Sequence, residues 1–594
     1  MTVTPQGISV QTAYRWFRDG KLIVNRQYQR KLVWTVSEKQ RLIDSILKGY
    51  PLPLFLLAER PVEGGENIFE IIDGMQRLNA IFGFIENGYL VNDRCFDLNE
   101  FSRARIVAEQ GTFAPFAADV ERLDQNSCSN VLDYQLAMTI FPGEEATRIA
   151  NVFGRINSGG KQLSDQERRQ AGVLSPFAEV VRELAAEIRG DVSRDELTLA
   201  EMPEISIETS KNVHGYNLRA EDIFWCYQGI LRTNHLRDSE DEQVIADLVA
   251  SILFGQPVEA SGDYLDRLYS SDSPEYAAVN SKLIAFPQER LADQVKKVFS
   301  VLRNAIEASN PDRFHFRQTV YKKPTSNAQK QAFFAVFMAF YDLIMVQGQL
   351  PTQPEKIMGA LTDLSERIQV GQKHVKTDDR LDNVKVVRGL IGDLFAKADV
   401  AQLTHGPGML FDFENSIRRA RTETVRYEFK QGLLRLDPAA RKVDEQHVSS
   451  MLETICAIAN SAPKTDGFLY VGIADKPADV DRIKALDGVD ALAFEHIHVV
   501  GVKREADALG VTLDKYVKIL EDALVQSSLS EPLKTQVQTS LDVIDFKHFS
   551  IMRLRIPGQS SVSFLGDRCF FRSGSSTLEA KGPQIAALTK AFGS

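Results

Sequence analysis

The sequence predicts a multidomain chain of mixed α/β and all-helical parts, and three observations predict it. The chain has 594 residues, more than one hydrophobic core organises. Residues 1–205 and 411–594 alternate short apolar runs with helical stripes, whereas 206–405 carry helical stripes alone. Gly406-Pro407-Gly408 is a strong break signal, and the composition shifts after it. Between Asn415 and Glu445 there are eight Lys or Arg against five Asp or Glu, although the whole chain has a net charge of −10. The expected domains are therefore 1–205, 206–405 and 411–594.

The first part opens with Gln27-Tyr28-Gln29-Arg30 and Trp34. Ser37 is expected to cap a helix whose apolar residues Leu42, Ile43, Ile46 and Leu47 fall at helical spacing, stopped by Gly49 and Pro51. Strands are expected at Leu52 to Ala58, Ile68 to Ile72 and Gln135 to Phe141, with a turn at Gly64-Gly65. A short helix, Glu145 to Phe153, leads into the loop Arg155-Ile156-Asn157-Ser158-Gly159-Gly160. The middle carries apolar stripes over Phe224 to Leu231, Gln243 to Phe254, Leu291 to Ile306, Gln329 to Val346 and Pro354 to Ile368. In the last part, Arg426 to Lys430, Phe468 to Ile473, Phe549 to Ile556 and Cys569 to Arg572 read as strands. A helical stripe runs from Val448 to Ala459, and a Ser573-to-Thr577 loop precedes a last helix at Gln584 to Phe592.

Composition excludes several classes. The acidic balance argues against a general nucleic-acid coat protein but allows a local basic groove. Five scattered cysteines with no CxxC pair fit reduced thiols and give no zinc site, and no HExxH is present. The N-terminus lacks a signal-peptide pattern, and the longest apolar run, Ala332 to Tyr341, is too short to span a bilayer. A cytoplasmic protein without a membrane partner is expected.

Two groups of residues are candidates for chemistry. The first is Gln29, Arg30, Asp73, Gly74, Gln76, Arg77, Arg155 and Asn157. Asp73-Gly74 is a turn between a strand and a helix, where free backbone N–H groups and the helix dipole favour an anion, and arginine forks suit a phosphate. By itself the octapeptide 71–78 reads more readily as an ordinary β-turn-α unit with a solvated arginine. Neither a P-loop nor a dinucleotide fingerprint is present. The second group is Glu423, Glu428 and Asp475 with Lys430. Three convergent carboxylates call for a cation, and hard oxygen ligands select Mg²⁺ or Mn²⁺, which activates water at a phosphodiester. Lys430 lies two residues beyond Glu428, on the same strand face, where it can hold the phosphate. Arg418, Arg419, Arg421, Arg426 and Arg435 favour a polyanionic substrate. The same acids also read as ordinary surface residues. Arg572-Ser573-Gly574-Ser575-Ser576-Thr577 reads either as a phosphate-binding Gly/Ser loop or as a plain turn.

Taken together, Tyr28-Gln29-Arg30, Trp34, the helix Gln40 to Leu47, Gly49-Tyr50-Pro51, the stretch Ile71 to Leu78, and Phe153 to Gly160 with Leu163-Ser164 resemble the ParB-like domain of GmrSD-type restriction enzymes (domain-of-unknown-function family 262). The resemblance implies a ParB/sulfiredoxin-like α/β domain that binds and hydrolyses a nucleoside triphosphate (ATP, GTP or CTP) in bacterial defence against phage. Some members recognise modified DNA. Met75 stands where the family usually has a glutamine, so Asp73, Gln76 and Arg77 carry over.

The last part resembles the Schlafen-type AlbA-like α+β domain through Glu423, Glu428-Phe429-Lys430, the helix end Ile455 to Asn460, Gly467 to Asp475, and Phe571 to Thr577. That resemblance implies a metal-dependent nuclease site at Glu423, Glu428 and Asp475. The family's usual Asn-Thr-x-Gly-Gly is replaced by a longer turn, Asn460 to Gly467. The expected partners are a nucleotide and nucleic acid, either phage DNA (modified or not) or RNA, and a homo-oligomer is compatible. The competing reading is a nucleotide-gated nucleic-acid-binding regulator that does not cut.

Overall fold

The computed structural model describes residues 5–26, 29, 31–61, 67–142, 164–170, 173, 175–191, 196–207, 217–322, 327–369, 376–398, 413, 416–417, 420, 424–438 and 441–592. Several expectations fall outside these residues: Tyr28, Arg30, Gly64-Gly65, the helix at 145–153, Arg155, Asn157, the Gly406-Pro407-Gly408 break, Arg418, Arg419, Arg421 and Glu423. The chain forms two compact units, 1–400 and 401–594, so the expected 205/206 boundary lies inside the first.

The first unit is built on a six-stranded mixed sheet. Its strands are β1 (Gln6–Ser9), β2 (Leu22–Asn25), β3 (Phe55–Arg60), β4 (Ile68–Asp73), β5 (Gln135–Pro142) and β6 (Glu196–Thr198), in the order β1-β5-β3-β4-β2-β6. β3 runs parallel to β5 and β2 parallel to β4, while β3 and β4 are antiparallel. Central β4 carries Ile71 and Ile72 fully buried, as an apolar run between neighbours on both sides requires. Helices α1 (Val10–Arg18), α2 (Val36–Leu47) and α3 (Met75–Ile85) pack on this sheet in one apolar core. The cap of α2 is Thr35 rather than Ser37, because Glu38 stands at the third helical position and closes a reciprocal capping box.

Beyond the sheet the unit is helical, with α4 (Pro176–Arg189), α5 (Glu240–Phe254), α6 (Gln288–Ser309), α7 (Lys330–Tyr341) and α8 (Thr377–Ile391) among its members. Two expected helices are shorter. The stripe at 224–231 yields only Phe224–Tyr227, and 354–368 breaks into Pro354–Ala360 and a 3-10 turn at Leu364–Glu366, with Asp363 left-handed between them at φ 57°. No described helix is long and apolar enough to cross a membrane.

The second unit holds a four-stranded sheet of β7 (Tyr427–Lys430), β8 (Gly467–Val471), β9 (Leu541–Phe546) and β10 (Phe549–Ile556), in the order β7-β8-β10-β9. β7 is an edge strand, parallel to β8. Alternation sends Tyr427 and Phe429 to one face and Glu428 and Lys430 to the other. Helices α9 (Glu445–Ala459) and α10 (Leu513–Gln526) share an apolar core with Leu469, Val471, Met552 and Leu554. The expected loop at 573–577 is instead the tip of a hairpin, β11 (Cys569–Ser573) with β12 (Ser576–Ala580), in which Arg572 pairs with Thr577. Gly574, at φ 57°, supplies the left-handed residue that so short a connection needs.

Candidate functional site

In the first unit, the structure brings Gln29, Asp73, Gly74, Gln76 and Arg77 together at the junction of β4 and α3. Most of their donors are engaged within the protein. Gln29 Nε2 donates to the carbonyls of Ile71 (2.7 Å) and Ile72 (3.0 Å). Gln76 Nε2 donates to the Lys31 carbonyl at 2.5 Å, and its Oε1 accepts from Val33 N–H at 3.2 Å. Arg77 lies over the Phe55 ring, 4.3 Å from its centroid, and donates to the carbonyls of Pro53 and Leu54 and to Asp73 Oδ2 at 2.9 Å. Burial pulls Arg77 below the ordinary arginine range, and Asp73 opposes that shift. Gly74 caps α3 at φ 103°, and a Cβ there collides with the Phe55 ring. This arrangement fastens Gln29, Lys31 and Val33 to the turn. It leaves the Asp73 side chain, 40% exposed, at the surface of the turn, while Gly74, Met75 and Gln76 at the start of α3 are buried.

Lys31 extends the same loop into a buried ionic network. Its ammonium lies 2.9 Å from Ser239 Oγ, 3.0 Å from Glu242 and 3.5 Å from Asp241. Arg189 joins Asp241, Glu242 and Asp191, and Arg26 closes on Asp191 at 2.7 Å. Three cations thus balance three carboxylates. Burial disfavours charge on Arg189, yet Asp241, Asp191 and Glu242 outweigh it and raise its pKa. Burial likewise opposes ionisation of Glu242, but Lys31 and Arg189 hold its carboxyl below the usual range.

In the second unit, Glu428 and Lys430 share a face of edge strand β7, as the alternation predicts. Lys430 Nζ donates to Glu428 Oε1 at 2.6 Å, and Arg572 Nη1 reaches Glu428 Oε2 at 2.9 Å. The side chains of Glu428 and Lys430 are 14% and 21% exposed, while that of Arg572 is only 1% exposed. Arg572 also donates to Thr577 Oγ1 at 3.2 Å, and Thr577 meets Thr454 of α9 at 3.1 Å. His447, in the first turn of α9, has a buried Nε2 with no hydrogen-bond partner among the described residues. Burial chiefly, with Lys430 adding to it, lowers the His447 pKa against Asp444 and Glu428, so the ring is neutral at pH 7.

Asp475 is exposed, one residue past the short strand Ile473–Ala474. Among the described residues, no three His, Cys, Asp or Glu side chains group as a metal site. The described donors are one carboxylate carrying two cations, which suits an anion and does not by itself fit Mg²⁺ or Mn²⁺.

Two basic residues counted from sequence are engaged within the chain. Arg426, buried, donates to the Asp466 carbonyl at 2.7 Å, and the exposed Arg435 pairs with Asp444 at 3.4 Å. Asn460 is a clamp: its side chain donates to the Ser563 and Phe570 carbonyls, each at 2.9 Å, and accepts from Ser563 N–H at 2.7 Å. The long turn after Asn460 is fixed by Asp466, which accepts from Arg555 at 2.6 Å and from Gly558 N–H at 2.9 Å. Sequence reasoning missed the inward aim of Arg572 and the nearness of His447. The only sequence signal for either was a cation on a strand next to a Gly/Ser turn.

The two units thus pair a mixed-sheet domain, with a fastened Asp-Gly turn, and a domain whose edge strand carries a partly exposed carboxylate–lysine pair. Residues 14–174 match the family described as GmrSD restriction endonuclease, N-terminal domain, in agreement with the resemblance read from the motifs of that part. No curated protein matches the chain.

Proposed function

We propose that the chain is a restriction-type defence protein in which a nucleotide-binding N-terminal domain controls nucleic-acid cutting by the C-terminal unit. The observation that carries the first half is the restriction-endonuclease family match over residues 14–174. Nucleoside triphosphate binding and hydrolysis fall to the Asp73-Gly74 turn, at the partly exposed Asp73 side chain, with Arg30, Arg155 and Asn157 as further contacts. Gln29, Gln76 and Arg77 position that turn through the carbonyls they hold.

The cutting half rests on the Glu428–Lys430 pair. Lys430, partly exposed and oriented by Glu428, binds the phosphate of DNA or RNA. Glu423 and Asp475 complete the acid set with Glu428.

The test incubates the full chain with labelled DNA and RNA, each with and without Mg²⁺, Mn²⁺, ATP, GTP and CTP. Cutting that depends on one nucleotide is the expected result. Tight binding without cutting under every condition overturns the nuclease and leaves a nucleotide-gated binder.

A further inference from the structure

We propose that Arg572 is a positioning residue for the Glu428–Lys430 pair, held in place by a hydroxyl relay through Thr577 to Thr454; this rests on the cutting role just assigned to that pair. A guanidinium at a Gly/Ser turn suggests a phosphate ligand, but Arg572 is 1% exposed and cannot reach a polyanion in solvent. Its fork is turned inward onto Glu428 Oε2 (2.9 Å), Thr577 Oγ1 (3.2 Å) and the Tyr427 carbonyl (3.4 Å). Lys430, 21% exposed, is the cation that a phosphate can reach, and it is held by the other oxygen of the same carboxylate at 2.6 Å.

Glu428 therefore stands between one buried and one accessible cation. A carboxylate offers about four lone-pair positions over its two oxygens, so it accepts both without giving up either. Fixing Oε2 sets the plane of the carboxylate, and that plane sets where Oε1 holds Lys430 Nζ. The fixing point is itself fixed. Thr577 sits opposite Arg572 in the β11–β12 hairpin, and its hydroxyl meets Thr454 on α9 at 3.1 Å. The exposed hairpin tip, Ser573 to Ser576, is thereby tied to the site through one side chain.

Misplacing a catalytic group by about 1 Å costs about 100-fold in rate. The experiment measures cutting by the full chain for wild type, Arg572→Gln, Arg572→Lys, Thr577→Val and Glu428→Gln, with thermal unfolding of each. The expected result is a fall in kcat of about 10- to 100-fold for Arg572→Gln, with KM little changed and partial rescue in Arg572→Lys. Thr577→Val keeps the shape, removes the hydroxyl and lowers kcat at an unchanged melting temperature. It keeps the test decisive where Arg572→Gln fails to fold. If Glu428→Gln abolishes cutting but Thr577→Val and Arg572→Lys both keep wild-type kcat, the positioning role is overturned and the site stands. If Glu428→Gln cuts normally, or the wild-type chain does not cut, the site itself is wrong and the positioning role falls with it.

Discussion

Glu70 shows how one residue's setting decides its chemistry. It lies on β4, 3% exposed, and shares Arg60 with Glu196: Arg60 Nη1 is 3.1 Å from Glu70 and 2.8 Å from Glu196. Burial first, and the nearby Glu196 second, push its pKa up to about 7. A carboxyl raised in the folded state binds a proton there that the unfolded chain has already released. Its contribution is present below the unfolded value, near 4.5, and is lost as pH rises through about 7. The shift corresponds to about 3 kcal/mol. Wild type therefore loses up to that much stability between pH 5 and 8 relative to Glu70→Gln, measured by urea unfolding at both pH values. Identical pH profiles contradict the assignment.

The candidate residues were legible at this scale as identities but not as partners. Gln29, Gln76 and Arg77 read as ligands because amide and guanidinium groups suit phosphates. Their actual acceptors are backbone carbonyls of Ile71, Lys31 and Leu54, and no residue type announces those.

At the scale of elements, local rules carried most of the fold. The buried run Ile68 to Ile72, the stripe Leu42 to Leu47 and the strand Phe549–Ile556 all form where period and turn chemistry place them. The failures have local causes too. Thr35 caps α2 rather than Ser37: Glu38 closes its capping box, whereas Gln40, three residues after Ser37, is engaged with the Leu90 carbonyl. The hairpin at Ser573 to Thr577 was not legible because its second strand, β12, has Ser576, Leu578 and Glu579 exposed and carries no apolar strand pattern.

Gly74→Ala puts a methyl against the Phe55 ring at a φ of 103° that alanine resists. A loss of about 1–3 kcal/mol is expected from overpacking and strain, read from the urea midpoint. A midpoint unchanged from wild type rules out the close approach of turn and ring.

At the scale of the whole molecule, residues 1–400 form one compact unit. Arg26, Lys31, Arg189 and Asp191 of its sheet-bearing part join Asp241 and Glu242 of its helical part in one ionic network. Each charge is unremarkable in its own segment, and only the fold makes them a set. Removing one buried partner leaves an uncompensated charge, so Lys31→Met costs about 3–5 kcal/mol of stability. Differential scanning calorimetry of the full chain reads that loss as a lowered melting temperature. A melting temperature equal to wild type means that the network is not closed through Lys31.

The proposed cutting of nucleic acid at Glu428, under control of the N-terminal domain, is decided by assaying wild type and Glu428→Gln side by side for cutting of labelled DNA and RNA and for nucleotide turnover. Glu428→Gln is expected to stay folded and turn over nucleotide like wild type, while cutting falls at least about 100-fold. Cutting at the wild-type rate by the folded variant contradicts it.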